Sequence, residues 1–167
     1  MTNFPRATLI RRLAAMLYDT LVAIAIGMVA ALAILLVFMV LFQNGQLDTQ
    51  GHTHLSDWLK SSPLYTHLVQ CWVLFWVCVF FMWFWRNGGQ TIGMRAWRLR
   101  ILSTTEQPIT YPRVALRMLC ALGGLGNLLL LIDWKNRLSL QDRIANTEVV
   151  FLSEQANHHR SWRGLNG

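Results

Sequence analysis

The chain has 167 residues, of which 54% are hydrophobic and 14% charged, with a formal net charge of +7. Soluble domains usually hold about 45–50% apolar and about 25% charged residues. This composition excludes a disordered chain and a collagen-like fibre, and three cysteines are too few for a disulfide scaffold. The 13 Arg and 2 Lys gather at the ends of long apolar blocks. That pattern belongs to an integral membrane protein rather than to a nucleic-acid-binding face, so no nucleic-acid partner is expected and the lipid bilayer is.

Residues 1–12 are short and basic, with Arg6, Arg11 and Arg12. The first apolar block, 13–42, is interrupted by Asp19-Thr20 and then runs for 22 residues from Leu21 to Phe42 without a charge. About 20 apolar residues cross a hydrocarbon core ~30 Å thick. The block exceeds a signal-peptide core and closes on bulky residues rather than a small-residue cleavage site, so it reads as a retained span. Residues 43–63 form a polar loop of charge −1, and the second block, 64–85, holds no charged residue. Its Trp72, Trp76, Trp83 and Trp85 read as an interfacial belt, and Arg86 stops the span.

Residues 86–117 carry six Arg against Glu106, a balance of +5. Short basic loops stay cytoplasmic, which predicts a cytoplasmic amino terminus and an external first loop. Within the segment, Trp97–Ile101 alternates like a strand, Ile109–Tyr111 reads as its return, and Thr147–Leu152 is a further β-like run. The third apolar block, 118–132, is too short for a full span and is broken by Gly123, Gly124, Gly126 and Asn127. It is either a re-entrant hairpin or a short third helix, and Lys135, Arg137 and Arg143 favour the hairpin. The expected fold is an all-α polytopic membrane protein: two full spans, a glycine-broken third segment and a small cytoplasmic β-like cap. The membrane domain takes in residues 6–152, and residues 153–167 form a polar tail.

Three stretches in order carry a resemblance: Arg12-Leu13-Ala14-Ala15-Met16-Leu17-Tyr18-Asp19, Gly88-Gly89-Gln90-Thr91-Ile92-Gly93-Met94-Arg95 and Leu140-Gln141-Asp142-Arg143-Ile144-Ala145-Asn146-Thr147. Together they resemble the RDD family of prokaryotic membrane proteins, named for one arginine and two aspartates, here Arg12, Asp19 and Asp142. The resemblance implies a shared architecture more than a shared activity, although some members have been proposed to exchange sodium for protons. Many members have Lys where this chain has Met94, which weakens a phosphate cradle in the Gly88–Gly93 turn; Gly89, Thr91 and Gly93 stay secondary candidates beside Arg117 and Arg143.

Arg12 and Asp19 lie seven positions apart on one helix face, about 10 Å along the axis, too far for a direct ion pair within the helix. An ionised Asp at mid-span costs roughly 2.5–3.5 kcal/mol, so Asp19 must face a partner or water. Asp142, Arg117 and Arg143 are candidate neighbours at the same level, and one cluster of Arg12, Asp19 and Asp142 is expected. It is either a proton or cation site with Asp19 as the titrating group, or an Arg–Asp lock on the fold. His52, His54, Asp57 and His67, and the tail pair His158-His159, are potential metal ligands that read more naturally as solvated side chains. Cys71, Cys78 and Cys120 read as small hydrophobes. No catalytic motif is present, and neither enzymatic activity nor a cofactor is expected. The functional expectation is a transport component acting as a homo-oligomer or with a membrane partner, because two spans cannot enclose a pathway; the alternative is a non-catalytic scaffold.

Overall fold

The computed structural model describes residues 4–48, 51–61, 63–105, 107–133 and 135–158. Two long helices dominate it. Helix α1 runs Leu9–Gln43 and α3 runs Pro63–Asn87, 35 and 25 residues, and both are apolar and long enough to cross a membrane. At about 1.5 Å per residue, each exceeds the ~30 Å of a hydrocarbon core. Between them, the expected loop contains a short helix, α2, Leu55–Ser61.

The chain divides into two compact units, residues 1–21 with 81–167, and residues 22–80. In the second unit, Trp58 of α2 is buried among Phe38, Phe42 and Tyr65, stacked on Tyr65 at 4.0 Å, and its Nε1 donates to the Asp48 carbonyl. Burial of that ring anchors this short helix, whose other residues are Leu55, Leu59 and four polar side chains. Trp72 Nε1 donates to the Ala30 carbonyl of α1 at 3.0 Å.

The first unit is a base built on the start of α1 and the end of α3. After α3 come α4 (Ile92–Ala96), β1 (Leu99–Ser103), α5 (Tyr111–Ala121), a 3₁₀ stretch Leu122–Leu128, α6 (Leu129–Ile132), α7 (Leu140–Ile144) and β2 (Thr147–Phe151). The two strands pair antiparallel, with Leu99 opposite Phe151 and Ser103 opposite Thr147. Ile109–Tyr111 is not their companion: Tyr111 opens α5, with Pro112 in the first turn, where its missing N–H is no loss. The other edge of β2 is taken by the amino-terminal arm, where the Ala7 N–H donates to the Val149 carbonyl and the Phe151 N–H to the Pro5 carbonyl. Ala7, Ala15, Met94, Leu99, Ile101 and Val149 form the core beneath this sheet.

The glycine-broken segment bends as its composition requires. Gly123 and Gly124 have φ of 63° and 109°, and the helical pieces on either side meet at 70°. Positive φ is strained for any residue with a Cβ, so glycine is needed here. The first piece starts seven residues before the expected block, at Tyr111 rather than Met118.

Candidate functional site

The three residues singled out from sequence divide between two polar sets on the first turns of α1. Arg12, 4% exposed, donates from Nη1 to Asp142 Oδ2 at 2.5 Å and to Ser139 Oγ at 3.2 Å, and from Nη2 to the Arg137 carbonyl at 3.0 Å. Arg117 of α5 reaches the same carboxylate from the other side, with Nη1 2.6 Å from Asp142 Oδ1 and 2.5 Å from Thr147 Oγ1. Asp142 is at the third position of α7 and also accepts the Ser139 N–H at 3.1 Å. The Ser139-x-x-Asp142 spacing is a helix-start signature that places this carboxylate. The face of the Trp85 ring lies 5.6 Å from the Arg117 guanidinium.

Two guanidiniums share one carboxylate, so the buried set carries one net positive charge. Burial works to push the Asp142 carboxyl up; the guanidiniums of Arg117 and Arg12 and the Arg12 and Ser139 hydrogen bonds outweigh it and hold the group below the ordinary carboxylate range. Asp142 is an anion wherever the base is folded at neutral pH.

Asp19 does not join this set. It is 6% exposed, and its carboxylate accepts from Thr91 Oγ1 at 2.5 Å and from the Gly93 N–H at 2.8 Å. Thr91 precedes α4 and also accepts the Met94 N–H at 3.2 Å. Gly93 packs so closely on α1 that a methyl group there would collide with the Ala15 carbonyl and come within 2.8 Å of the Asp19 carboxylate. Among the described residues Asp19 makes no ion pair.

The remaining candidates fall elsewhere. Arg143 lies on the exposed side of α7 and pairs with Asp133, away from the buried set. Gly89 (φ 64°) makes the turn whose carbonyl accepts the Ile101 N–H at 2.7 Å, while Gln90 Nε2 donates to the Leu99 carbonyl at 2.7 Å. That turn is strapped to β1, and Met94 lies in the core. Sequence reasoning missed Ser139 and Thr147 in the Asp142 set, and the Arg6–Glu148 pair that holds the amino-terminal arm at 2.8 Å. Among the described residues no three His, Cys, Asp or Glu side chains converge on a metal position; His159 and the rest of the tail, 159–167, are outside those residues.

The sequence model of the RDD family matches residues 6–146, which takes in both polar sets. Neither a curated protein nor a solved structure gives a significant match.

Proposed function

The chain belongs to the RDD family, and we propose that it is a non-enzymatic transport component in which Asp19 exchanges a proton or a small cation. The observation that carries this reading is the donor set of Asp19. A carboxylate buried on a membrane-spanning helix is met by a hydroxyl and an amide N–H, with no cation opposing it among the described residues. A threonine hydroxyl donates to an ionised carboxylate and accepts from a protonated one, so the site is satisfied in both states. Guanidiniums donate only, and would suit the anion alone.

Two spans are too few to surround a pathway, so transport calls for an oligomer or a membrane partner. The same reading puts the protein in a prokaryotic cytoplasmic membrane with its amino terminus inside. The +5 balance of residues 86–117 against the −1 of residues 43–63 supports that orientation.

The test is ion flux in proteoliposomes under an imposed pH gradient. Wild-type protein should give pH-dependent flux and Asp19→Asn should lose it, with both proteins equally monodisperse in detergent. A second reading, a membrane scaffold, is favoured by the Arg12–Asp142–Arg117 set, which ties three separate elements together and exposes nothing to a ligand. Flux absent from wild type selects the scaffold, and flux unchanged in Asp19→Asn removes Asp19 as the exchanging group.

A further inference from the structure

We infer that residues 111–132 form a wedge that enters one leaflet of the bilayer and returns, so the chain crosses the membrane twice and the lipid of that leaflet covers the wedge's apolar face. Both ends of the segment are tied to the base. At its start, Arg113 donates to the Ala145 and Asn146 carbonyls at 3.1 and 2.6 Å. Beyond its end, the Arg137 carbonyl accepts from Arg12 at 3.0 Å, and Arg137 Nη1 reaches the Arg6 carbonyl at 3.4 Å. The chain is therefore back beside the first turn of α1 only five residues after α6 ends at Ile132.

The bend fixes how deep the wedge goes. A methyl group on Gly124 would strike Met16 Cε, and Asn127 Nδ2 lies 3.1 Å from Met16 Sδ. Met16 is four residues past Arg12 and seven past the start of α1, so the bend lies about 10 Å along a helix about 50 Å long, beside its basic end and far short of the ~30 Å of a hydrocarbon core. A spanning segment would have to travel the whole of it.

The exposed face has the character of a lipid surface. Leu116, Leu119, Leu125, Leu128, Leu131 and Ile132 are 41–81% exposed, whereas Val114 and Arg117 on the opposite side of α5 are buried. Basic residues flank the apolar stretch, Arg113 before it and Lys135, Arg137 and Arg143 after it. Leu13 and Leu17 of α1, on either side of Met16, are exposed at 48% and 64%, so the wedge continues a surface that the span already offers to lipid. Cationic flanks hold the two ends of such an amphipathic segment at the headgroups while its apolar face enters the acyl chains. Gly123 at the bend is exposed, and just beyond it the base covers the chain: Gly126 and Asn127 are buried, and Gln141 Nε2 donates to Asn127 Oδ1 at 2.9 Å.

The test uses the full chain in sealed vesicles of phosphatidylethanolamine and phosphatidylglycerol. Single cysteines replace Thr110, Lys135 and Gln46, in a background where Cys71, Cys78 and Cys120 are alanine. An impermeant maleimide should label positions 110 and 135 from one face and position 46 from the other. Spin labels at Leu125 and Leu128 should be accessible to oxygen at a depth between headgroups and midplane. Labelling of 110 and 135 from opposite faces would establish a third span. Labels reached by a water-soluble nickel chelate would put the segment outside the bilayer, and labels shielded from both reagents would put a protein partner or second copy on the face. Independently of cysteine removal, reporter fusions at the two ends of the otherwise wild-type chain should report the same compartment; opposite compartments overturn the inference.

Discussion

Replacing Asp142 with alanine should destabilise the protein more than replacing Arg12, although the two form a single ion pair. Arg12→Ala removes the surplus positive charge of the buried set and leaves Asp142 on Arg117 at 2.6 Å and on the Ser139 N–H at 3.1 Å. The loss is then that of charged hydrogen bonds, about 1.5–3 kcal/mol. Asp142→Ala instead leaves two guanidiniums, their side chains 4% and 5% exposed, facing each other with no anion between them. Breaking a buried pair costs about 3–5 kcal/mol, and here two cations lose the same partner. A chain of this length shifts its midpoint by about 2–4 °C per kcal/mol. Thermal unfolding in detergent should therefore fall by about 3–12 °C for Arg12→Ala and about 6–20 °C for Asp142→Ala, from the same conversion. The double variant should lose clearly less than the sum, whereas Arg12→Ala combined with Asp19→Asn should be additive, because those two residues share no partner. Equal losses for the two single variants, or additivity between Arg12 and Asp142, would refute the shared buried set.

The pH dependence follows from the depressed titration of Asp142. Its stabilising contribution is present above the unfolded value of 3.8 and is lost as pH falls through the lower folded value, because the unfolded chain binds the proton first. Melting midpoints measured from pH 7 downward should hold until about pH 5 and then drop, with a shallower drop in Asp142→Asn. Gly93→Ala should cost about 1–3 kcal/mol through overpacking against α1, and should abolish any Asp19-dependent flux; a midpoint within 1 °C of wild type, on the scale of about 2–4 °C per kcal/mol, would contradict the close approach. Removing the arm through Ala7 takes away two backbone hydrogen bonds to β2 and a buried residue. It should cost about 2–4 kcal/mol, read as a lower midpoint with the spans still inserted.

The spans were legible because a bilayer demands some 20 apolar residues in a row, and Leu21–Phe42 and Leu64–Trp85 supply them without reference to any other part of the chain. Gly123 and Gly124 were legible as a break for an equally local reason. The polar partnerships were legible only in part: the family motifs grouped Arg12 with Asp142, and Arg117 does lie beside them, but Asp19 stands apart. Arg12 and Asp142 are 130 residues apart, and apart from that grouping nothing at either position names the other. A spacing of seven put Arg12 and Asp19 on one helix face, but sharing a face does not make residues touch; α7 arrives at one level of α1 and α4 at the next. The alternation at Ile109–Tyr111 was too short to distinguish a strand from a helix start. The true edge partner of β2 was the arm at Pro5–Ala7, which has no periodic signal of its own.

The two buried carboxylates are equipped for different chemistry, and this makes one substitution decisive. Protonating Asp142 would set a proton against donors that cannot accept it and leave Arg12 and Arg117 without their counterion, so this carboxylate stays ionised while the base is folded. Asp19 meets a hydroxyl that can reverse its role and an N–H that suits either state. Asparagine at position 19 retains an oxygen for the Gly93 N–H and offers an amide N–H to Thr91 Oγ1, and Arg12 still anchors α7 two helical turns away. Asp19→Asn should therefore melt within about 1 kcal/mol of wild type, or about 2–4 °C, while losing pH-dependent flux. Asp142→Asn should melt far lower, because its amide cannot neutralise two guanidiniums. If Asp19→Asn collapses to the same extent as Asp142→Asn, Asp19 is a second anchor of the base, and the scaffold reading replaces transport.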